Sequence, residues 1–254
     1  MNWLFDLIEP LRTMGLGWAF LWVLAENTLI FVTALIGGEV LVRVFKRKAV
    51  SAAPEPLTRT EILLSVCTIV INSLVTWVGV ILWRADMIQA SRAGVIRVLL
   101  DALVLFMAMD LLMYMFHRVA HHPLLYPIIH STHHRYENPR PLTLFVLNPF
   151  ESAGFGALWL VLVTIYPASL VGMMIYLTLN VVFGLVGHIG VEPLPSRYLQ
   201  IPVIRYVSTS TFHAEHHGDK DHNYGFYTLI WDKLFGTLSP DYERDFVRAN
   251  EGAG

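Results

Sequence analysis

Long runs of apolar side chains alternate with short polar stretches up to residue 186. A transmembrane helix needs about 20 mostly apolar residues in succession. Five segments approach or meet that length: residues 18–41, 62–83, 98–116, 150–166 and 168–186. The fourth is short, and Pro167 separates it from the fifth, which predicts a hairpin in this region. The pattern therefore predicts an all-α integral membrane protein with four to five transmembrane helices.

Basic residues predict the orientation of these helices. The loop after the first segment carries a basic cluster, Lys46, Arg47, Lys48 and Arg59. An excess of lysine and arginine marks cytoplasmic loops, so we expect this loop in the cytoplasm. Counting crossings then places residues 117–149 and 188–254 on the same face, because a hairpin over 150–187 returns the chain to its starting side. Both regions are expected to form one cytoplasmic cap.

Composition supports a single membrane domain over residues 1–254, with residues 1–116 forming the N-terminal transmembrane helices. Hydrophobic residues make up 55% of the chain and charged residues 15%, whereas soluble domains carry about 25% charged residues. A net charge of −2 argues against a nucleic-acid partner. Cys67 is the only cysteine, which excludes disulfides and cysteine-ligated iron–sulfur clusters within one chain.

The histidines carry the candidate chemistry. All eleven lie between His117 and His222. Nine fall in three sets, FHRVAHH, HSTHH and HAEHH, which supply His117, His121 and His122, then His130, His133 and His134, then His213, His216 and His217. On a helix, residues at i, i+3 and i+4 share one face with Cβ atoms about 5–6 Å apart, so we expect each H-x-x-H-H set to aim three imidazoles at one small volume.

Neutral imidazole binds iron, zinc, copper or nickel, and these sets exceed the four ligands of a tetrahedral zinc site. The spacing therefore predicts two metal ions. His222 stands apart from the three sets and is expected to form hydrogen bonds at the membrane interface. For His122, both a metal-ligand role and such an interfacial role stay open.

Two further polar side chains lie near the first histidine set. Asp110 precedes His117 by seven residues, two helical turns, and therefore lies on the same helix face. Metal-bound histidines usually donate their second N–H to a carboxylate or carbonyl, so we expect Asp110 to accept it. The alternative for Asp110 is a polar contact between helices. Tyr114, one turn before His117, is a second candidate for this role.

Residues 110–238 resemble the fatty acid hydroxylase/sterol desaturase superfamily of membrane di-iron proteins. The resemblance rests on Asp110, Tyr114, His117 and Arg118, on the HSTHH and HAEHH boxes, and on the NYG…WDKLFGT ending. It implies metal ligands at His117, His121, His130, His133, His134, His188, His213, His216 and His217, with His122 as a rival to His121. The chain departs from the pattern at Asn148, where many relatives have histidine, and at Glu192, where some do.

The resemblance also implies an activity. Members use two iron ions and O2 to hydroxylate or desaturate an unactivated C–H bond of a membrane lipid such as a sterol or fatty-acyl lipid. The sequence has no G-x-G-x-x-G and no cysteine set, so the electrons are expected from a separate reductase with a ferredoxin or cytochrome. Two alternatives stay open: a b-type haem electron-transfer protein, with histidine pairs on facing helices, and a metal-ion transporter, with ligands near the bilayer midplane.

Overall fold

The computed structural model describes residues 2–252 and is mostly helical. Its α-helices are α1 (Asn2–Ile8), α2 (Pro10–Thr13), α3 (Leu16–Phe45), α4 (Arg59–Arg84), α5 (Val95–Ala120), α6 (Tyr126–Ile129), α7 (Pro149–Ile165), α8 (Leu170–His188), α9 (Ser210–Gly218), α10 (Ile230–Phe235) and α11 (Tyr242–Glu251). Short 3₁₀ helices occupy His133–Arg135, Pro141–Phe145, Ser196–Gln200 and Ile204–Tyr206. Two-residue strands, β1 (Ala90–Ser91) and β2 (Ala168–Ser169), pair in parallel.

The five long helices form a bundle. α3 packs on α4, α4 on α7, and α5 on both α7 and α8. Three of them, α3, α4 and α8, are long and apolar enough to cross a membrane. The other two predicted segments are also helical: α5 has 26 residues with two buried aspartates, and α7 has 17 residues. By length and composition the described residues therefore contain three candidate membrane spans, fewer than the four to five that the sequence predicts.

The outer surface of the bundle is apolar, as a lipid environment requires. α3 buries Ala19, Val23, Ala34 and Gly38 against its neighbours. It exposes large apolar side chains, among them Trp18, Leu29 and Ile36. Helices in lipid pack through small residues because lipid tails are as apolar as leucine and larger side chains gain nothing by leaving them. This distribution places the apolar surface of α3 outward.

Local sequence signals fix where the helices begin. α4 starts at Thr58, whose hydroxyl accepts the backbone N–H of Glu61 while the Glu61 carboxylate accepts the backbone N–H of Thr58. Such a capping box satisfies two otherwise unpaired donors. Ser169 and Thr209 cap α8 and α9 more simply, because each hydroxyl accepts one backbone N–H, from Gly172 and Phe212 respectively.

Both histidine-rich regions lie at one end of the bundle. α5 and α8 end there and α7 begins there, and the chain after α8 returns against the loop after α3. The backbone N–H of Val50 donates to the Gly190 carbonyl, and that of Glu192 donates to the Lys48 carbonyl. The basic stretch 46–48 therefore lies at the same end as the histidines. α9, α10 and α11 complete a cap on this end.

Close helix packing at Gly38 makes a testable prediction. A Cβ atom at Gly38 would lie 2.6 Å from the Pro141 Cβ and 2.9 Å from the Leu185 Cδ1, whereas one at Gly37 would meet nothing within 4 Å. We expect Gly38→Ala to lower the free energy of unfolding by about 1–3 kcal/mol through overpacking. Gly37→Ala should be neutral or stabilise by up to about 1 kcal/mol, because alanine favours helix.

Thermal unfolding of both variants in the same detergent measures the difference. Equal stabilities of the two variants would contradict the close approach of α3 to Pro141–Phe145.

Candidate metal centre

Nine histidines meet in two compact groups at the cap end of the bundle. The five-histidine group contains His117, His121, His130, His134 and His216, and the four-histidine group contains His133, His188, His213 and His217. Within each group, one ring nitrogen from every histidine lies within 4.8 Å of all the others. Each group is therefore small enough to surround one ion. His122, which is exposed, and His222 belong to neither group.

Each H-x-x-H-H set is divided between the two groups, which corrects the expectation that a set serves one volume. On α9, His213 and His217 face the four-histidine group and His216 faces the five-histidine group. A helix advances about 100° per residue, so positions i and i+4 are only about 40° apart, whereas i+3 and i+4 are about 100° apart. HSTHH divides likewise, and there the chain is a turn and a 3₁₀ helix rather than an α-helix.

The outer nitrogens of the five-histidine group are held by acceptors. His117 Nδ1 lies 2.8 Å from the Tyr224 carbonyl oxygen, and His130 Nδ1 lies 2.7 Å from Glu151 Oε1. A backbone carbonyl oxygen only accepts, so His117 Nδ1 carries the hydrogen and its Nε2 presents a lone pair; Glu151 orients His130 in the same way when its carboxylate is ionised. The two Nε2 atoms are only 2.8 Å apart. Facing lone pairs repel unless a cation lies between them, so this donor set fits a metal ion.

The four-histidine group follows the same rule. His188 Nδ1 donates to the Gly184 carbonyl oxygen at 2.6 Å, and its Nε2 lies 3.1 Å from the Nε2 atoms of both His133 and His213. His133 Nδ1 faces the Val146 carbonyl oxygen at 3.4 Å. Backbone carbonyls therefore turn these lone pairs inward, the arrangement that metal-bound histidines require.

Several buried nitrogens lack any partner. Within residues 2–252, the Nε2 atom of His121 and both ring nitrogens of His217 are buried without a hydrogen bond. An unsatisfied buried polar atom costs about 1–3 kcal/mol. Because a metal ion coordinates an imidazole lone pair, ions in the two groups would remove part of this cost. This is a second sign that the residues fit metal.

Burial keeps these imidazoles in the form that binds metal. Loss of hydration lowers the pKa of His133, His213, His216 and His217 well below the usual histidine value, and repulsion from neighbouring histidines lowers it further. The pKa of His134 falls to about 4, again mainly through burial. Neutral imidazole is the ligand form, so the groups are ready to bind metal at pH 7 without first losing protons.

The NYG turn positions the carbonyl that holds His117. Asp232 accepts the backbone N–H groups of Tyr224 and Gly225, both at 2.8 Å. A Cβ atom at Gly225 would lie 2.6 Å from the Thr228 carbonyl oxygen and 2.7 Å from Asp232 Oδ2, so only glycine fits. Burial raises the pKa of Asp232 to about 6, while its hydrogen bonds oppose that rise. Asn223 begins the turn with a φ of 59°, a conformation that asparagine tolerates.

Asp110 lies close to the cap but not beside a histidine, which corrects the role expected for it. Its carboxylate accepts the backbone N–H groups of Tyr227 and Thr228, the Thr228 hydroxyl and the Trp231 indole N–H. Seven residues along a helix span about 10 Å, so one shared face does not bring Asp110 to the His117 ring. Asp110 instead fixes the segment before α10 to α5.

Tyr114 also makes no hydrogen bond to a histidine within the described residues. Its hydroxyl lies 3.0 Å from the Thr237 hydroxyl and accepts from Arg118 at 3.3 Å. Its ring stacks on Phe235 with centroids 5.4 Å apart. Tyr114 therefore joins α5 to α10, and the Tyr224 carbonyl takes the place expected for Asp110 or Tyr114 beside His117.

The two positions that depart from the family pattern have structural partners. Asn148 caps α7 by accepting the Phe150 backbone N–H, and its amide donates to the Ile128 carbonyl. Glu192 is fully buried and accepts the backbone N–H and the hydroxyl of Thr211, in the first turn of α9. An acid at a helix N-terminus stabilises it, so Glu192 supports the helix that carries three of the histidines.

Glu151 is the residue near the site whose role the sequence did not predict. Its carboxylate contacts His130 from the first turn of α7, and both side chains are buried. The available signal was an acid at the start of an apolar segment, where a charge is costly unless it has a partner. Spacing could not name that partner, because the two residues are 21 positions apart in the chain and most of the residues between them are not α-helical.

The sequence is similar to a protein-family model and to several known proteins. The family model described as fatty acid hydroxylase matches residues 102–237. Delta(7)-sterol 5(6)-desaturase of Leptosphaeria maculans is 27% identical over 139 residues, which are 55% of this chain and 37% of the relative. Lathosterol oxidase of Rattus norvegicus is 31% identical over 57% of this chain and 47% of its own length.

Protein CER1-like 2 of Arabidopsis thaliana is 32% identical over 61% of this chain and 25% of its own length. The matched part thus covers less than half of each of these relatives. No solved structure matches the chain.

Alanine substitutions test the two groups. His133→Ala and His216→Ala should each weaken metal binding by about 10–100-fold or more, since even the loss of residues that only orient ligands has effects of that size. His122→Ala should keep the metal, because its ring lies outside both groups. His222→Ala should also keep it, because the His222 carbonyl that accepts from His216 Nδ1 remains.

Elemental analysis after native purification, together with metal titration of the stripped protein, measures these effects. Equal, mild effects at all four positions would contradict the grouping.

Acidification tests the buried imidazoles. An unfolded histidine has a pKa of about 6.5, whereas burial holds those of His133 and His213 well below it. Above about pH 6.5 both states are neutral and the full stability is present. Below it the unfolded chain takes up protons that the folded chain cannot, so stability falls as pH falls. The unfolding temperature of metal-free protein should drop steadily from about pH 7 to about pH 5; a flat profile would contradict the burial.

Proposed function

The chain belongs to the fatty acid hydroxylase family, and from that membership we propose that it is a membrane-bound, O2-dependent oxidoreductase with two iron ions. It hydroxylates or desaturates an unactivated C–H bond of a membrane lipid such as a sterol or a fatty-acyl lipid. The observation that carries the proposal is the convergence of nine histidines, in two groups each small enough to surround one ion, at the end of an apolar helix bundle.

We assign one ion to each histidine group. Imidazole donors suit iron, zinc, copper and nickel alike, but zinc has no redox chemistry, and the names of the relatives, desaturase and oxidase, describe oxidations. Bound iron supplies the activation of O2 and the oxidation of the C–H bond. The histidines would hold the ions. The carbonyls of Tyr224, Gly184 and Val146 together with Glu151 orient four of them, His117, His188, His133 and His130, with Nδ1 outward and Nε2 inward.

The lipid substrate follows from where the groups lie. His117 and His188 lie in the last turns of α5 and α8, so the ions should lie at the edge of the hydrocarbon layer or just beyond it. An amphiphile can then present a carbon to them while its tail stays in the bilayer. The relatives include a Delta(7)-sterol 5(6)-desaturase and a very-long-chain aldehyde decarbonylase, so their names span sterols and very-long-chain aldehydes.

The proposed orientation is multi-pass with the histidine cap in the cytoplasm. We propose that α5, and α7 with it, cross beside α3, α4 and α8. The support is that the basic stretch 46–48 lies at the histidine end, where positive residues mark the cytoplasmic side. Electrons are proposed to come from a separate reductase with a ferredoxin or cytochrome, because this sequence has one cysteine and no dinucleotide motif.

The geometry disfavours the two alternatives. A haem between two histidines needs room for the macrocycle, whereas the facing Nε2 atoms are 2.8–3.1 Å apart. A transporter places its ligands near the membrane midplane, and here all nine lie at the bundle end or in the cap.

Turnover in a defined system tests the proposal. We expect iron-loaded protein in lipid nanodiscs, given a ferredoxin and its reductase, to consume O2 and convert a membrane lipid into an alcohol or alkene. Labelling with ¹⁸O2 separates the two outcomes, because hydroxylation places the label in the lipid and desaturation does not. His216→Ala is the inactive control. A single zinc or haem iron per chain, or product that forms without O2, would disprove the proposal.

A further inference from the structure

A cleft opens beside the five-histidine group. It lies between the C-terminal turns of α5, the NYG turn and α10, and has a volume of about 590 Å³. Its lining is formed by Tyr114, Met115, Arg118, Val119, His121 and Phe235, with Tyr224, His122 and Leu125 completing it. Ligand pockets commonly have volumes of about 300–1,000 Å³, so the cleft has the size to hold a substantial part of a small molecule.

The floor of the cleft is part of the metal centre. His121 lines it, and the Nε2 atom of His121 is buried without a hydrogen-bond partner. Tyr224, whose carbonyl holds His117, lines it as well. The cleft therefore runs from the protein surface to the five-histidine group.

The outer wall of the cleft continues the lipid-facing surface. Met115 and Val119 are 53% and 54% exposed, and Phe235 is 46% exposed. On α5 the residues at helical spacing before Met115, Val104 and Leu111, are apolar and at least partly exposed. One apolar stripe thus runs along α5 from the bundle surface to the cleft, so a hydrocarbon chain in the bilayer can lie against apolar side chains up to the cleft.

One cation lies in this apolar surface. Arg118 stands between Met115 and Val119 on α5, and its guanidinium carbon lies 5.9 Å from the centre of the Phe235 ring. It donates one hydrogen bond, to the Tyr114 hydroxyl at 3.3 Å, and pairs with no acidic side chain within the described residues. A guanidinium has five N–H donors, so it has donors left for a ligand oxygen.

We propose that this cleft binds the substrate, a single-headed lipid amphiphile whose hydroxyl or carboxylate oxygen accepts from Arg118 while its hydrocarbon part lies on Met115, Val119 and Phe235. The inference rests on the proposed function and adds the binding site and the recognised chemistry. A hydroxyl and a carboxylate would come from different lipids, a sterol and a free acyl chain.

Binding of spin-labelled amphiphiles tests the cleft without relying on turnover. The probes are stearate labelled near its methyl end and cholesterol labelled in its side chain, added to the metal-loaded protein in nanodiscs. Electron paramagnetic resonance measures the immobilised fraction and hence the apparent affinity. Immobilisation of stearate, of cholesterol or of both supports the proposal that the cleft binds a lipid amphiphile, and it shows which head group is recognised. No immobilisation of either probe by the wild-type protein overturns it.

Two pairs of variants locate the binding. Val119→Trp fills the cleft and should weaken probe binding at least about tenfold. Val161→Trp, at a 57% exposed position on α7 outside the cleft, is the matched control and should bind like the wild type. Arg118→Gln should weaken binding about tenfold through loss of a charged hydrogen bond. Arg197→Gln, at an exposed position in the cap away from the cleft, should not.

Metal content and turnover keep the two proposals apart. If Val119→Trp retains two ions and oxidises membrane lipid at the wild-type rate, the cleft is overturned and the proposed function stands. If the wild-type protein binds the probes in the cleft but forms no O2-dependent product, the cleft stands and the function is overturned. Equal loss of binding in Val119→Trp and Val161→Trp also overturns the cleft.

Discussion

Facing nitrogen lone pairs are the constraint on which the cap depends. Every imidazole whose Nδ1 donates to a carbonyl or carboxylate must turn Nε2 toward the other rings, and at 2.8–3.1 Å these atoms repel unless a cation separates them. The protein holds this arrangement with backbone carbonyls from α8, from the NYG turn and from residue 222. The fold therefore supplies the preorganisation, and a bound metal ion would supply the missing attraction.

Buried acids connect the cap to the bundle. Asp110 on α5 holds the segment before α10, Asp232 on α10 holds the NYG turn, and Glu192 after α8 holds the start of α9. Each accepts backbone N–H groups, which partly offset the cost of burying a carboxylate. Asp232 accepts the Tyr224 backbone N–H, and the Tyr224 carbonyl accepts from His117, so these contacts reach the five-histidine group. Irregular segments can thereby position ligands as firmly as helices do.

The sequence predicts the elements better than it predicts the partners. Apolar runs locate α3, α4 and α8, and histidine spacing with the family resemblance selects the nine residues that the fold brings together. Spacing did not predict that each H-x-x-H-H set is divided between the two groups, either on α9 or in HSTHH. It also fails where a contact joins distant segments, as between His130 and Glu151. Spacing also cannot predict the contact between His117 and the Tyr224 carbonyl, because every residue type has a backbone carbonyl. Asp110 shows a further limit. Helix periodicity gives the helix face on which a residue lies, but not whether its side chain is long enough to contact another residue on that face.

α9 has one consequence beyond supplying ligands. It gives His216 to one group and His213 and His217 to the other, on a helix of nine residues. Because both groups take histidines from this one short helix, any shift of α9 displaces nitrogens of both groups at the same time. α9 therefore couples the geometry of one group to that of the other.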